Sequence, residues 1–370
     1  MKVVYWNNIP APYMIDRFNC MAKNKNYDFE VWFNEQTEAD RDWKINLKNV
    51  QFKYYFVPRI NFYFFKVRLP TFIFTRKPDI LITLYAEKIF YIGILLALLL
   101  RVKVCVHIVK TFDNWVKRSS IKEFFKKFLL SKINFFETTG LDGESYLKKY
   151  SKKKPQIFKH KFNVNVKYFD KIIKNKKKLK LYNNKKEVRF LYVGKIIKEK
   201  GLDILIHSAL KIKNNHKEYK NFKLLIVGNG RDKDHYLDLV KKFKIEKINF
   251  INFIQKENLP LIFDASDVFI FPSLGDPYGI VIDEAMASKM PVISSHLVGE
   301  IKERVIHNFN GYIYKGKNLN QLTNFILKIL KNKKRIKIFG NRSRQLIKKN
   351  TPENYSNQFR SMINKIIEFN

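Results

Sequence analysis

Short apolar runs alternate along this chain with segments whose apolar residues recur at helical spacing, and the alternation runs through twice. In the first half, residues 3–6, 29–33, 80–84, 104–109 and 135–138 read as strands, with helices at 15–22, 89–100, 121–131 and 143–150. The rhythm restarts with strands at 189–193, 223–227, 248–253, 268–271 and 291–293 and helices at 203–213, 233–243, 258–265, 280–287 and 320–330. Alternation of this kind builds parallel sheets wrapped by helices, and each half is long enough for one doubly wound α/β domain. Ligands in such sheets bind beyond the carboxyl ends of the strands. The expected division is a first domain over 1–165, a Lys-rich linker over 166–186 and a second domain over 187–353. A final helix over 354–370 crosses back to the first domain.

Charge narrows the partners. The chain carries a formal net charge of +39, with 46% hydrophobic and 15% aromatic residues, so it folds around large cores and attracts polyanions. Two cysteines, Cys20 and Cys105, do not make a disulfide scaffold, and a reducing compartment is the expectation. The opening MKVVYWNNIPAPY has no secretory apolar core. The longest apolar run, 89–100, falls short of the roughly twenty residues a spanning helix needs and reads as a buried helix.

Part of the charge has a place. Residues 171–186 hold eight lysines and no acid, the pattern of a solvated linker. In 52–77, ten Phe and Tyr residues interleave with Lys53, Arg59, Lys66, Arg68, Arg76 and Lys77. In 117–132, Ile121, Phe124, Phe125, Phe128 and Leu129 would share one helix face, with Lys117, Arg118, Lys122, Lys126, Lys127 and Lys132 around it. Such surfaces suit an anionic membrane interface, at about 1 kcal/mol per Lys or Arg near it. The competing reading makes the same aromatics core.

Three strand-to-helix loops carry the chemistry. In Tyr192-Val-Gly-Lys-Ile-Ile-Lys-Glu-Lys-Gly201, Gly194 permits a close turn, and Lys195 and Lys200 bring cations to a helix N-terminus, a setting for a diphosphate. Val227-Gly-Asn-Gly230 repeats the design with Gly228 in the turn. The third, Phe271-Pro-Ser-Leu-Gly-Asp-Pro-Tyr-Gly-Ile-Val-Ile-Asp-Glu-Ala-Met-Ala287, is far more specific. It presents Asp276 on a loop, Gly279 where a backbone approaches a ligand, and Glu284 inside the next helix. Each carboxylate accepts several hydroxyl hydrogen bonds, so the pair suits a polyhydroxylated ligand.

Taken together and in this order, these motifs resemble retaining glycosyltransferase family 4, whose fold is GT-B, two Rossmann-like domains facing a central cleft. The resemblance is strong over 187–315 and softer over 1–165. It implies that Glu284 binds the nucleotide ribose and that Asp276 binds donor-sugar hydroxyls, with amides around Tyr278, Gly279 and Ile280 on the same sugar. It places Lys195 and Lys200 on the diphosphate, Lys195 standing where the family commonly has Arg. Asn252, Phe253 and Ile254 would lie against the base. The family's usual Glu-x7-Glu pair begins here with Asp276, one methylene shorter, which touches sugar selectivity more than fold. The loop after the first strand, with Asn8, Pro12 and Tyr13, is similar to the family's acceptor-side loop.

A His near the end of the 104–109 strand often touches the donor sugar in that family. His107 holds that place here, with Lys110 and Asp113 competing for it, and a satisfied core histidine is the other reading. Glu87 also falls near a strand end. No HExxH, Cys-x-x-Cys or Asp-x-Asp occurs, so Lys195 and Lys200 rather than a divalent metal would neutralise the leaving diphosphate. The implied activity is hexosyl transfer with retention from a nucleotide-diphosphate sugar, used as substrate with no cofactor, to a lipid-linked or polysaccharide acceptor. The setting would be peripheral, on the cytoplasmic face of an anionic membrane. A GT-B-type sugar-nucleotide epimerase or phosphorylase is the alternative. A nucleic-acid-binding role rests on charge alone, with no recognisable module for it, and no specific nucleic acid partner is expected.

Overall fold

The computed structural model describes all residues except 39–40, 63–64, 69, 110–119, 151–153, 176–185 and 370. Two compact units emerge: Met1–Asn163 joined by Asn350–Asn370, and Val164–Lys349.

The first unit is built on β1 (Lys2–Asn7), β2 (Asp28–Phe33), β3 (Lys53–Phe56), a hairpin of β4 (Arg59–Phe62) and β5 (Phe65–Arg68), then β6 (Ile80–Leu84), β7 (Lys103–Ile108), β8 (Phe135–Thr138) and β9 (Gln156–Lys159). Seven of these form one sheet in the order β3-β2-β1-β6-β7-β8-β9, every pairing parallel. Parallel strands covered on both faces have little need of polar alternation, and β1 is buried from Val3 to Asn7. One face packs under helix Pro12–Ala22 and the C-terminal helix Pro352–Glu368, around Tyr5, Phe18, Phe29, Tyr355 and Phe359. Thr351 caps that last helix by accepting from the Asn354 amide at 3.2 Å. The other face buries Trp6, Trp32, Phe90 and Ile94.

The second unit repeats the plan with β10 (Val188–Val193), β11 (Phe222–Val227), β12 (Ile248–Ile251), β13 (Val268–Phe271), β14 (Val292–Ser295) and β15 (Gly311–Tyr314). Their order is β12-β11-β10-β13-β14-β15, again wholly parallel. The strand order reverses between β10 and β13, the position where doubly wound sheets open a crevice at their carboxyl ends.

Several expectations need correction. Residues 166–175 are not linker: Val166–Asn175 is a helix of the second unit, burying Val166 and Phe169, with Phe169 6.1 Å from Phe263. The lysine-rich composition hid a short apolar stripe; only 176–185 of that run lie outside the described residues. Helix Lys88–Leu99 buries Phe90, Gly93, Ile94 and Ala97, yet leaves Ile92, Leu95 and Leu99 exposed. On helix Ser120–Ser131 the face is rotated from the expected one. Phe124, Phe125 and Phe128 are 69%, 64% and 50% exposed, while Leu129, Leu130 and Lys126 are buried. The Lys126 ammonium sits 3.6 Å from the Tyr150 ring centroid and 4.4 Å from that of Tyr146, a cation–π setting that lets a lysine face inward. Of 52–77, Phe52 and Ile73 are core, and Phe56 and Phe74 are exposed. Tyr63 and Phe64 lie outside the described residues. Among the described residues no helix is long and apolar enough to cross a membrane.

Candidate active site

Three loops of the second unit lock together at the carboxyl ends of β10, β11 and β13. The Gly194 amide donates to Val227 O at 3.1 Å and the Ile196 amide to Asn229 O at 2.8 Å, which ties the loop after β10 to the loop after β11. The Leu274 amide donates to Glu199 O at 2.9 Å, tying it to the loop after β13. Gly201 has φ +70°, and a Cβ there would stand 2.2 Å from Pro272 O, so only glycine lets these two loops touch. The Tyr192 hydroxyl, rooted in the core, donates to Lys195 O at 2.7 Å and fixes the half-buried lysine's backbone.

This closeness joins two of the expected site residues. The Lys200 ammonium donates to Asp276 Oδ2 at 2.6 Å, and the Tyr278 amide donates to Asp276 Oδ1 at 2.9 Å. Burial works against ionising Asp276, but the Lys200 charge and hydrogen bond, the Tyr278 amide and Arg304 outweigh it and hold the carboxyl below its ordinary value. The pair is therefore a fixed carboxylate–ammonium couple.

Gly279 (φ +70°) turns the chain into helix Ile280–Ala287, where Glu284 sits about one turn in. No described residue hydrogen-bonds the Glu284 carboxylate. Burial pushes its pKa up to about 7, with Lys256 pulling it down and Asp283 adding to the rise. The half-buried Glu284 carboxyl group thus keeps its acceptor positions open among the described residues.

Arg304 holds this loop in shape, and nothing local in the sequence singles it out. Fully within the unit, its guanidinium donates to Asp283 Oδ1 at 3.1 Å, Gly279 O at 3.2 Å and Gly299 O at 2.8 Å, and also to Tyr278 O. It stacks 4.0 Å from the Tyr278 ring centroid, and the Tyr278 hydroxyl donates to Asp283 Oδ2 at 2.9 Å. The Gly299 amide in turn donates to Asp276 O at 2.9 Å. One buried cation thus satisfies the carbonyls on both sides of the Asp276 turn.

Of the other expected donor residues, Gly228 is buried in its turn, Phe253 and Ile254 are half-buried, and Asn252 is exposed with its amide oxygen taking Lys233.

The first-unit candidates come out differently. His107 does sit next to the end of β7, but its side chain is buried rather than open. It is 2% exposed, with Nδ1 2.7 Å from Glu137 Oε2 and 2.8 Å from the Tyr5 hydroxyl. Both faces of β7 are apolar, so its sequence did not reveal that His107 shares the helix-covered face with Cys105. Burial opposes ionisation of Glu137, yet His107 and His160 outweigh it and hold that carboxyl well below the usual range. Lys110 and Asp113 lie outside the described residues. Asn8 follows β1 and bonds Glu38 and Asn34, Pro12 opens its helix, and the Tyr13 ring meets Trp43 and Phe162 edge-on. Glu87, at the start of helix Lys88–Leu99, is exposed.

The family described as glycosyl transferases group 1 matches residues 164–346, nearly the whole second unit. The second unit is thus a group 1 glycosyl transferase domain. An uncharacterized glycosyltransferase of Methanocaldococcus jannaschii is 36% identical over 114 residues, covering 30% of this chain and 28% of that protein. The match thus spans less than a third of that relative. Among solved structures, sucrose-phosphate synthase from Thermosynechococcus elongatus superposes with a TM-score of 0.76 at 17% identity, covering 100% of both chains. Anabaena HepE in complex with UDP-glucose gives 0.77 at 14% identity, covering 99% of this chain and 100% of that one. At these identities the likeness is one of fold: the chain has the GT-B fold, with two Rossmann-like parallel-sheet domains.

Proposed function

We propose that this chain is a retaining hexosyltransferase that moves a sugar from a nucleoside-diphosphate sugar to a lipid-linked or polysaccharide acceptor. The observation that carries the reading is the open Glu284 carboxyl beside the Asp276–Lys200 couple at the strand-order switch. Glu284 accepts the ribose hydroxyls, Asp276 those of the donor sugar, and the base rests on 252–254. Lys195 and Lys200 neutralise the leaving diphosphate in place of a divalent cation. Support comes from the family match and from the HepE fold relative, which is solved with UDP-glucose. Incubation with nucleotide sugars and lipid-linked oligosaccharides, with the product anomer read by NMR, tests the reaction. An anomer opposite to the donor's overturns retention.

Glu284 gives a sharper test. Replacing it with Gln weakens nucleoside-diphosphate binding at least tenfold, or about 1.4 kcal/mol, by isothermal titration. Because the ionised carboxylate is the better acceptor, wild-type affinity falls more steeply than that of the Gln variant as pH drops from 8 to 6, through the value of about 7. Unliganded stability moves the other way. A carboxyl raised from 4.5 to about 7 costs the fold stability as pH rises between those values, so Glu284→Gln gains nothing below pH 4.5 and most above pH 7. Unchanged affinity in a folded variant removes the ribose role.

The acceptor is proposed to be membrane-borne, with the protein peripheral on an anionic cytoplasmic leaflet. The three exposed phenylalanines of helix Ser120–Ser131 carry that reading, with Lys127 and Lys132 beside them. Binding to vesicles with 30% anionic lipid falls with salt but does not vanish, because charge attraction is screened beyond about 8 Å whereas inserted rings are not. Changing Phe124, Phe125 and Phe128 to Ser lowers vesicle binding at least tenfold and leaves nucleotide affinity alone. Equal binding to neutral vesicles overturns the electrostatic part.

A further inference from the structure

Helix Pro12–Ala22 of the first unit buries an arginine for which the described residues supply no hydrogen bond. Arg17 is 0% exposed, and its Nε, Nη1 and Nη2 all lack a partner. Its guanidinium is ringed instead by aromatic faces, 4.5 Å from the Tyr355 centroid, 5.4 Å from Phe18, 5.6 Å from Phe162 and 5.7 Å from Tyr5. Rings repay part of the desolvation of a cation but leave five N–H donors unused.

The nearby carboxylate cannot take them. Glu137 Oε2 already receives His107 Nδ1 at 2.7 Å and the Tyr5 hydroxyl at 3.3 Å, and Oε1 receives His160 Nδ1 at 2.9 Å and the Tyr355 hydroxyl. Two oxygens offer about four acceptor positions, and all four are filled. The same arrangement sets the tautomer of His107. An ionised carboxylate only accepts, so Nδ1 donates to it and Nε2 is left over, buried and unpartnered.

Phe162 links these two unused groups. Its ring stacks on His107 with centroids 6.0 Å apart and an interplanar angle of 19°, and it stands against Arg17 and, edge-on at 5.9 Å, against Tyr13. Phe162 is half-buried, whereas Tyr5, Phe18 and Tyr355, the other rings around Arg17, are buried, so Phe162 is the partly exposed ring that touches both Arg17 and His107.

We propose that Arg17 and His107 form a binding subsite for an anionic group, a carboxylate or a phosphate, reached when the Phe162 ring swings aside. A guanidinium fork matches two anion oxygens, and the unpartnered His107 Nε2 lies against the same Phe162 ring. On the proposed transferase reading, on which only the ligand's identity rests, the anion is borne by the acceptor.

The test is isothermal titration of the full chain with inorganic phosphate and, in a separate arm, malonate. It is run in 0.3 M NaCl to screen the surface lysines, with nucleoside diphosphate present to fill the donor site. One saturable phosphate or malonate site is expected, and the tighter arm identifies the anion class. Arg17→Met weakens that site at least thirtyfold, and the His107 ring NMR signals, which shift with ligand in the wild type, stay still. Phe162→Ala, which keeps Arg17 and removes the covering ring, binds about tenfold more tightly, and it carries the test if Arg17→Met does not fold. Equal affinity in Arg17→Met, or unchanged affinity in Phe162→Ala, overturns the subsite. Failure of nucleoside diphosphate to bind would overturn the transferase reading alone, since Arg17-dependent anion binding is measured independently of it.

Discussion

Asp276→Asn lowers turnover about 100- to 1000-fold while nucleoside-diphosphate affinity changes less than about threefold, the size of effect seen when a preorganised polar group is lost from a reacting centre. Asparagine keeps the shape of the side chain and can still accept the Tyr278 amide, which donates to Asp276 Oδ1 at 2.9 Å. What disappears is the charge that accepts Lys200 at 2.6 Å and would accept the sugar hydroxyls. Freed from that partner, Lys200 keeps its full charge for the diphosphate, so the nucleotide does not suffer. Lys200→Met makes the contrast. It strands a half-buried carboxylate and removes a cation, so stability and nucleoside-diphosphate affinity fall together. Initial rates with a fixed nucleotide sugar, set beside titration with the free nucleoside diphosphate, read both. Loss of nucleotide affinity in Asp276→Asn equal to its loss of turnover would assign Asp276 to the nucleotide or the fold.

Arg304→Leu destabilises the second unit by about 3–5 kcal/mol, because Asp283 stays buried without its cation and three loop carbonyls lose a donor. Urea denaturation followed by far-UV circular dichroism, which reads both units, set beside tryptophan fluorescence, which reads only the first unit because all four Trp lie there, measures it. Arg304→Leu combined with Asp283→Leu recovers part of the loss, since neither charge then remains unpaired. A cost under about 1 kcal/mol for the single change would mean the guanidinium does not brace the loop. The link to function is geometric: Arg304 bonds Tyr278 O, Gly279 O and Gly299 O, and Gly299 holds Asp276 O, so a folded remnant of the variant should also lose turnover.

The second unit was the more legible half. Its three loops sit between an apolar strand and an amphipathic helix, and their glycines, lysines and carboxylates lie within a few residues of one another. Local order therefore put Lys200 and Asp276 in the loops that follow strands and Glu284 inside the helix after the third loop. The Lys200–Asp276 bond itself spans 76 positions, and Arg304 reaches back 21 residues to Asp283. Neither pairing has a local signature in a chain so rich in lysine.

In the first unit, parity and rotation mattered more than spacing. Val104, Val106 and Ile108 face one layer of β7 and Cys105 the other, and with both layers apolar no polar alternation says which way His107 points. Helix Ser120–Ser131 carries enough apolar residues for two faces, and the Tyr146 and Tyr150 rings drew Lys126 inward at the expense of the phenylalanines. Strand β9 and helix Val166–Asn175 went unread because the lysine runs 152–154 and 176–178 flank them.

The amino-acid order alone dictated two parallel α/β sheets and the three loops at the carboxyl ends of the second, since backbone periodicity, glycine turns and helix starts act over a handful of neighbours. Which buried charges meet was settled by packing: Arg304 with Asp283, His107 and His160 on Glu137, and Arg17 among four rings without a bond. Those outcomes depend on desolvation and on side chains brought from opposite ends of the chain, as Tyr355 is to Glu137, and such energies exist only once the strands and helices have closed around them.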